Sequence, residues 1–312
     1  MKIIKNLAFA TLAVALLFQS SITRADDSTP FSRIIVFGDS LSDTGNFYRM
    51  SGDTYPPSPP YWQGRFCNGP VWVEYLAEDL GMAGLEDNYA VGGATTGTEN
   101  DGPPFGGVQN QIALYLSSHQ GDPDALYILW AGHNDVFIAL TTGNFDLSQA
   151  VINTVNNIRT LWAAGARHIL VVNMADLGKT PMLVSTDASA FVSSLVASAN
   201  ENLADALNGL AAEGVPTIAL DAFAFVDTVA AHPARFGFSD VTDEGILIYP
   251  ANPAGYLFWD NVHPTTQFQH VFEQFAVRHI PVTDHGDGRD HGGNGNGGHD
   301  HGGNGHGDHH QD

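Results

Sequence analysis

The chain has 312 residues and a formal net charge of −22, a balance that repels nucleic acid and anionic bilayers at long range. Its one cysteine, Cys67, excludes an intrachain disulfide, so stability has to come from packing. Residues 26–283 are enough for a single α/β domain with a substantial core.

Residues 1–25 read as a cleavable export segment. Lys2 and Lys5 charge its start, residues 7–18 form an apolar stretch too short to span a bilayer, and Ala25 is the small residue before the cut. The expected product is exported, to the periplasm or beyond, and losing Lys2, Lys5 and Arg24 takes its charge to about −25.

The patterning then predicts a strand over 33–37, a helix over 70–80, a short strand over 88–91 and a helix over 108–119. Strand-like runs follow at 125–130, 166–174 and 215–221, with helical patterns over 147–164 and 188–213 and a last helix over 265–278. This alternation favours a parallel sheet covered on both faces, whose loops converge at the carboxyl edge. Spacing alone leaves the strand order open.

Chemistry-bearing motifs sit just past the strands. GDSLSDTGN (38–46) presents Ser40 in a turn after the first strand, and a serine there becomes a nucleophile when a base takes its proton and an acid orients that base. DNVHP (260–264) carries both partners, because an Asp and a His three residues apart on a turn can point the same way: Asp260 to one ring nitrogen, the other facing Ser40. NYAVGGATT (88–96) and GHND (132–135) contribute Gly93 and Asn134, whose backbone N–H and side-chain amide are uncharged donors suited to an oxyanion. Each block alone also reads as a plain turn, and Asp260 as a helix cap. Asp39, Asp43 and Asp135 are alternative acids near the motifs.

The four blocks in this order resemble the GDSL, or SGNH, esterases and lipases, and most closely the secreted bacterial branch with lysophospholipases and lecithinase-like hemolysins. GRFCNGPVWVEYLAEDLG (64–81) also resembles a family segment, with Cys67 where many relatives carry serine. The generic G-x-S-x-G elbow is absent around Ser40, which argues against the α/β-hydrolase fold. The resemblance implies a three-layer α/β/α sandwich with a mostly parallel, flavodoxin-like sheet. It also implies an acyl-serine mechanism without a cofactor, with the Ser40 N–H as a third oxyanion donor.

Two irregular segments, 52–68 and 99–107, carry aromatics that can shape a cleft, with Tyr61, Trp62 and Phe105 as candidates for acyl-chain contact; the alternative is plain surface connection. Residues 284–312 contain only Asp, Arg, His, Gly, Asn and Gln and are expected to be disordered. Beyond a merely solvated tail, His285, His291, His299, His301, His306, His309 and His310 are expected to hold divalent transition metals weakly and heterogeneously.

The sequence therefore predicts a secreted hydrolase of fatty-acyl esters, lysophospholipid or phospholipid first, in transient contact with a membrane or micelle surface. A carbohydrate or choline esterase, an acyltransferase using the same triad, and a metal-binding or surface-interaction protein with an inactive hydrolase body are the alternatives. Oligomeric state is not legible.

Overall fold

A computed structural model of the chain describes residues 31–281, apart from Ala83, Glu86 and Pro104; the expected export segment and the seven tail histidines lie outside the described residues. Five strands form one parallel sheet: β1 (Ile34–Gly38), β2 (Asp87–Asn88), β3 (Leu126–Trp130), β4 (His168–Val172) and β5 (Ile218–Leu220). Their order is β2-β1-β3-β4-β5, the flavodoxin-like order.

The apolar runs are continuous because both sheet faces are covered, and alternate side chains feed two cores. Ile34, Val36, Leu126, Ile128, Leu170 and Val172 point to one face. There they meet α2 (Trp72–Asp79), α7 (Ala222–Ala231) and α8 (Thr266–Ala276) through Trp72, Val226 and Phe272. Ile35, Phe37, Tyr127, Leu129, Ile169 and Val171 point to the other. That face is covered by α3 (Val108–Leu116), α5 (Ser148–Ala164) and α6 (Ser189–Ala212), through Ile112, Leu161 and Leu207. The result is the expected three-layer sandwich.

The strand predicted over 88–91 shortens to Asp87–Asn88, although Tyr89 N–H and Val91 N–H still donate to Val36 O and Gly38 O at 2.8 and 3.1 Å. On the outer edge the Asn46 amide, not another strand, donates to Asn88 O and Ala90 O at 2.9 and 2.8 Å, so an otherwise open edge is closed by one side chain.

Three helices and two strands were not expected. These are α1 (Asn46–Met50), α4 (His133–Thr142), which begins inside the GHND block, α7, and a small parallel pair of β6 (Asp240–Glu244) with β7 (Tyr256–Phe258). The pair delivers the chain to the sheet's carboxyl edge just before Asp260.

Candidate active site

Ser40 follows β1 by two residues, while His263 and Asp260 lie between β7 and α8. The structure brings the three together. Ser40 Oγ is 2.8 Å from His263 Nε2, and His263 Nδ1 is 2.8 and 3.0 Å from Asp260 Oδ2 and Oδ1. With Nδ1 donating to the carboxylate, Nε2 is left to accept the Ser40 hydroxyl.

The turn that presents them is self-organised. Asp260 Oδ1 accepts the backbone N–H groups of Val262 and His263 at 2.9 and 2.7 Å, and Trp259 N–H donates to His263 O at 2.7 Å. Asp260 is not the cap of the last helix. Thr265 is, its Oγ1 accepting from Phe268 N–H.

Burial pushes the Asp260 carboxyl up, but the adjacent His263, its side-chain and backbone hydrogen bonds and the Tyr61 hydroxyl outweigh this and hold it at about 2. For His263 burial favours the neutral ring, yet the Asp260 charge, its hydrogen bond and the more distant Asp39 outweigh it, so the imidazole is raised above its ordinary value.

Three N–H donors belong to residues that line the same cavity. Gly93 lies at φ 79°, where a side chain would run into the Asn100 amide and come within 3.0 Å of Asp101 O, so the turn admits only glycine. Among the described residues the Ser40 and Gly93 N–H groups make no hydrogen bond. Asn134, in the first turn of α4, gives one amide hydrogen to Ala94 O at 3.0 Å and keeps the other free. Ser40, Gly93, Asn134 and His263 all line one cavity of about 640 Å³.

The three alternative acids are engaged elsewhere. Asp43 accepts the N–H groups of Gly45, Asn46, Phe47 and Gly92, tying the nucleophile turn to the Gly93 turn. Burial lifts it to about 6 against those four bonds. Asp135 accepts Thr96 N–H and the Thr96 hydroxyl. Asp39 Oδ2 is 3.1 Å from His133 Nδ1, and His133 Nε2 accepts Ala175 N–H at 3.0 Å, so this buried imidazole carries its proton toward Asp39 and spans the ends of β1, β3 and β4. Sequence reasoning also missed Gln111, whose amide pairs with both Gly38 N–H and Gly38 O at 2.9 and 2.8 Å.

The acyl-contact residues need correction. Tyr61, Trp62 and Phe105 are not among the residues lining the cavity. Tyr61 donates to Asp260 Oδ2 at 2.7 Å, Trp62 lies under the Arg65 guanidinium at 4.8 Å, and Phe105 packs behind the wall against Phe47 at 5.0 Å. The wall is made by Phe47, Tyr55 and Phe66. Phe66 also packs 5.1 Å from the His263 ring, in space that only a glycine at 92 leaves open. Both flagged segments border the cavity, 52–68 through Tyr55 and Phe66 and 99–107 through Asp101, Gly102 and Pro103, but with other side chains than those expected. Cys67 is the expected core residue, fully buried with Sγ 3.4 Å from Pro264 O and its thiol pushed up to about 12 by burial.

A parallel sheet that holds a Ser–His–Asp chain and three uncommitted N–H donors at its carboxyl edge defines a serine acyl-transfer type of site, a class recognised by geometry and not by chain order. Sequence comparison places it more narrowly: the model of the GDSL-like lipase/acylhydrolase family matches residues 34–274, and the chain belongs to that family. It is 29% identical over 315 residues to a phosphatidylcholine-sterol acyltransferase of Aeromonas hydrophila, covering 83% of this chain and 93% of that protein. It is 26% identical over 264 residues to a thermolabile hemolysin of Vibrio parahaemolyticus, covering 75% of this chain and 60% of the hemolysin. Among solved structures it is similar to a lipolytic G-D-S-L family protein from Veillonella parvula, at 15% identity and a TM-score of 0.44, over 78% of this chain and 97% of that one.

Proposed function

We propose that this protein is an exported serine ester hydrolase of fatty-acyl esters, lysophospholipid or phospholipid first. The observation that carries the lipid reading is the cavity itself, which is lined not only by Ser40 but by Trp130, Val226, Phe268 and Phe272, side chains that belong to the domain core. An acyl chain entering it gains up to about 0.8 kcal/mol per buried methylene, whereas an acetylated sugar finds few polar partners there.

In this mechanism His263 Nε2 takes the Ser40 proton as Oγ attacks the ester carbonyl, and Asp260 holds Nδ1–H and stabilises the imidazolium. The N–H groups of Ser40 and Gly93 and the Asn134 amide receive the oxyanion. His263 then protonates the leaving alcohol oxygen, and water repeats the sequence on the acyl-serine. No step requires a metal or organic cofactor. The likeness to the Aeromonas acyltransferase supports a second outcome, in which an alcohol such as a sterol replaces water; the two differ only in the acceptor.

Contact with a lipid surface is supported by an exposed apolar rim. Residues 245–258 contain no charged side chain, Leu247 is 75% exposed beside the exposed Ile248 and Tyr249, and Ile246 N–H is bonded to Trp259 O in the catalytic loop. On so acidic a chain this rim fits a zwitterionic surface better than an anionic one.

A series of monomeric esters of rising acyl length tests the reading. Turnover per enzyme at low substrate should climb from acetyl upward, by at most about fourfold per methylene. Leu247→Asp with Ile248→Asp should slow hydrolysis of phosphatidylcholine vesicles several-fold and leave a short soluble ester unaffected. A flat acyl response, or preference for acetylated sugars, would overturn the lipid assignment; sterol ester in place of free fatty acid would assign the transfer outcome.

The pH profile follows from the raised imidazole. His263 must be neutral to act, so activity is lost as pH falls through its folded-state value, and the acid limb of kcat/KM should lie above the roughly 6.5 of free imidazole. Asp260→Asn removes the charge that raises it and should move the limb down while lowering the plateau. A limb below 6.5 in the unaltered protein would contradict the pairing.

A further inference from the structure

The hydrogen-bonded chain from Ser40 does not end at Asp260. Tyr61, 199 residues earlier in the sequence, donates its hydroxyl to Asp260 Oδ2 at 2.7 Å. That is the oxygen standing 2.8 Å from His263 Nδ1, whereas Oδ1 takes the Val262 and His263 backbone N–H groups. Each oxygen of the carboxylate is thus bonded from outside as well as to the imidazole, and Asp260 is buried.

The tyrosine is itself held. Its N–H donates to Pro57 O at 3.1 Å, its carbonyl accepts the Ser58 hydroxyl at 2.8 Å, and its ring stands edge-on to Trp259 at 6.2 Å and 89°. Burial first, and then the neighbouring Asp260 charge, push its hydroxyl well above the ordinary phenol value, so it remains a donor at any working pH.

We propose that Tyr61 is a positioning residue, the fourth member of the Ser40–His263–Asp260 relay, which orients the Asp260 carboxylate and takes up part of its charge so that His263 can release its proton near neutral pH. This rests on the hydrolytic reading of the site given above. A hydroxyl bonded to an anion favours the ionised form and draws charge toward itself. Without it, more of the carboxylate's charge bears on Nδ1–H, so the imidazole holds its proton more tightly and is less firmly aimed at Ser40.

Tyr61→Phe keeps the ring against Trp259 and removes only the hydroxyl. The His263 imidazole, followed by NMR titration of the whole protein without substrate, should titrate higher by roughly half to one pH unit, and the acid limb for a soluble ester should move with it. Plateau kcat should fall about 3- to 30-fold with KM little changed. Placing 3-fluorotyrosine at position 61, a stronger donor in the same space, should move the imidazole titration the opposite way; this arm also serves if the Phe variant folds poorly. Unchanged titration and kcat in the Phe variant, or shifts of the same sign in both, would overturn the proposal. Failure of the hydrolytic reading looks different: Ser40→Ala would retain activity, while the NMR arms would still report the Tyr61–Asp260–His263 coupling.

Discussion

Ser40→Ala is expected to lower ester turnover at least about a thousandfold and to abolish labelling by a serine-directed phosphonate, because Ser40 carries the one hydroxyl hydrogen-bonded to His263 Nε2 among the described residues. The residual rate would come from the oxyanion donors and from binding, both of which the variant keeps. The fold should survive. Among the described residues the Ser40 side chain bonds only to His263, whereas the turn is held by Asp39 N–H on Trp130 O and by Leu41 N–H on Asp39 Oδ1. A thermal melt within the range of an ordinary surface substitution, about 0.5 kcal/mol, should accompany the loss. Turnover near that of the unaltered protein would remove Ser40 from the reaction.

Asn134→Ala is the next largest. In the proposed mechanism its second amide hydrogen binds charge that exists only in the transition state, so kcat should fall by roughly 10² to 10³ with little change in KM. The same side chain also donates to Ala94 O from a buried position, so the variant loses about 1–3 kcal/mol of stability as that carbonyl goes unpaired. Kinetics taken well below the variant's melting temperature separate the two effects. A change confined to KM would make Asn134 a substrate-binding residue instead.

The rest of the polar network explains why these residues need their neighbours. Asp43 and Asp135 each bridge two of the sheet's carboxyl-edge turns, the Asp39–His133 pair links three strand ends, and Gln111 ties α3 to the end of β1 at Gly38, so the turns that carry the site are held by a shared polar network.

What the sequence by itself determined is whatever is carried by local order. β1, β3 and β4 were legible because a strand covered on both faces must be apolar throughout, and α5, α6 and α8 because a helix covering a sheet repeats its apolar residues every turn. Ser40, Gly93, Asn134, Asp260 and His263 were legible for a related reason: each role needs a particular residue type in a short turn, and Asp260 and His263 share one turn. Periodicity failed where the pattern is not set locally. In β6 and β7 the pairing is shifted by an irregularity and half exposed, α7 is apolar apart from Asp227 and Thr228 and so shows little periodicity, and α4 starts just after a glycine, inside a motif that reads as a loop.

The substrate-facing residues belonged to tertiary structure alone. Within 52–68 the backbone is irregular, and nothing in its order tells that Tyr55 and Phe66 turn inward while Trp62 turns to Arg65 and Tyr61 to an aspartate 199 residues away. Side-chain direction in such a segment is decided by which distant groups are near enough to bond or pack, and proximity of that kind exists only once the sheet has brought the ends of its strands to one edge.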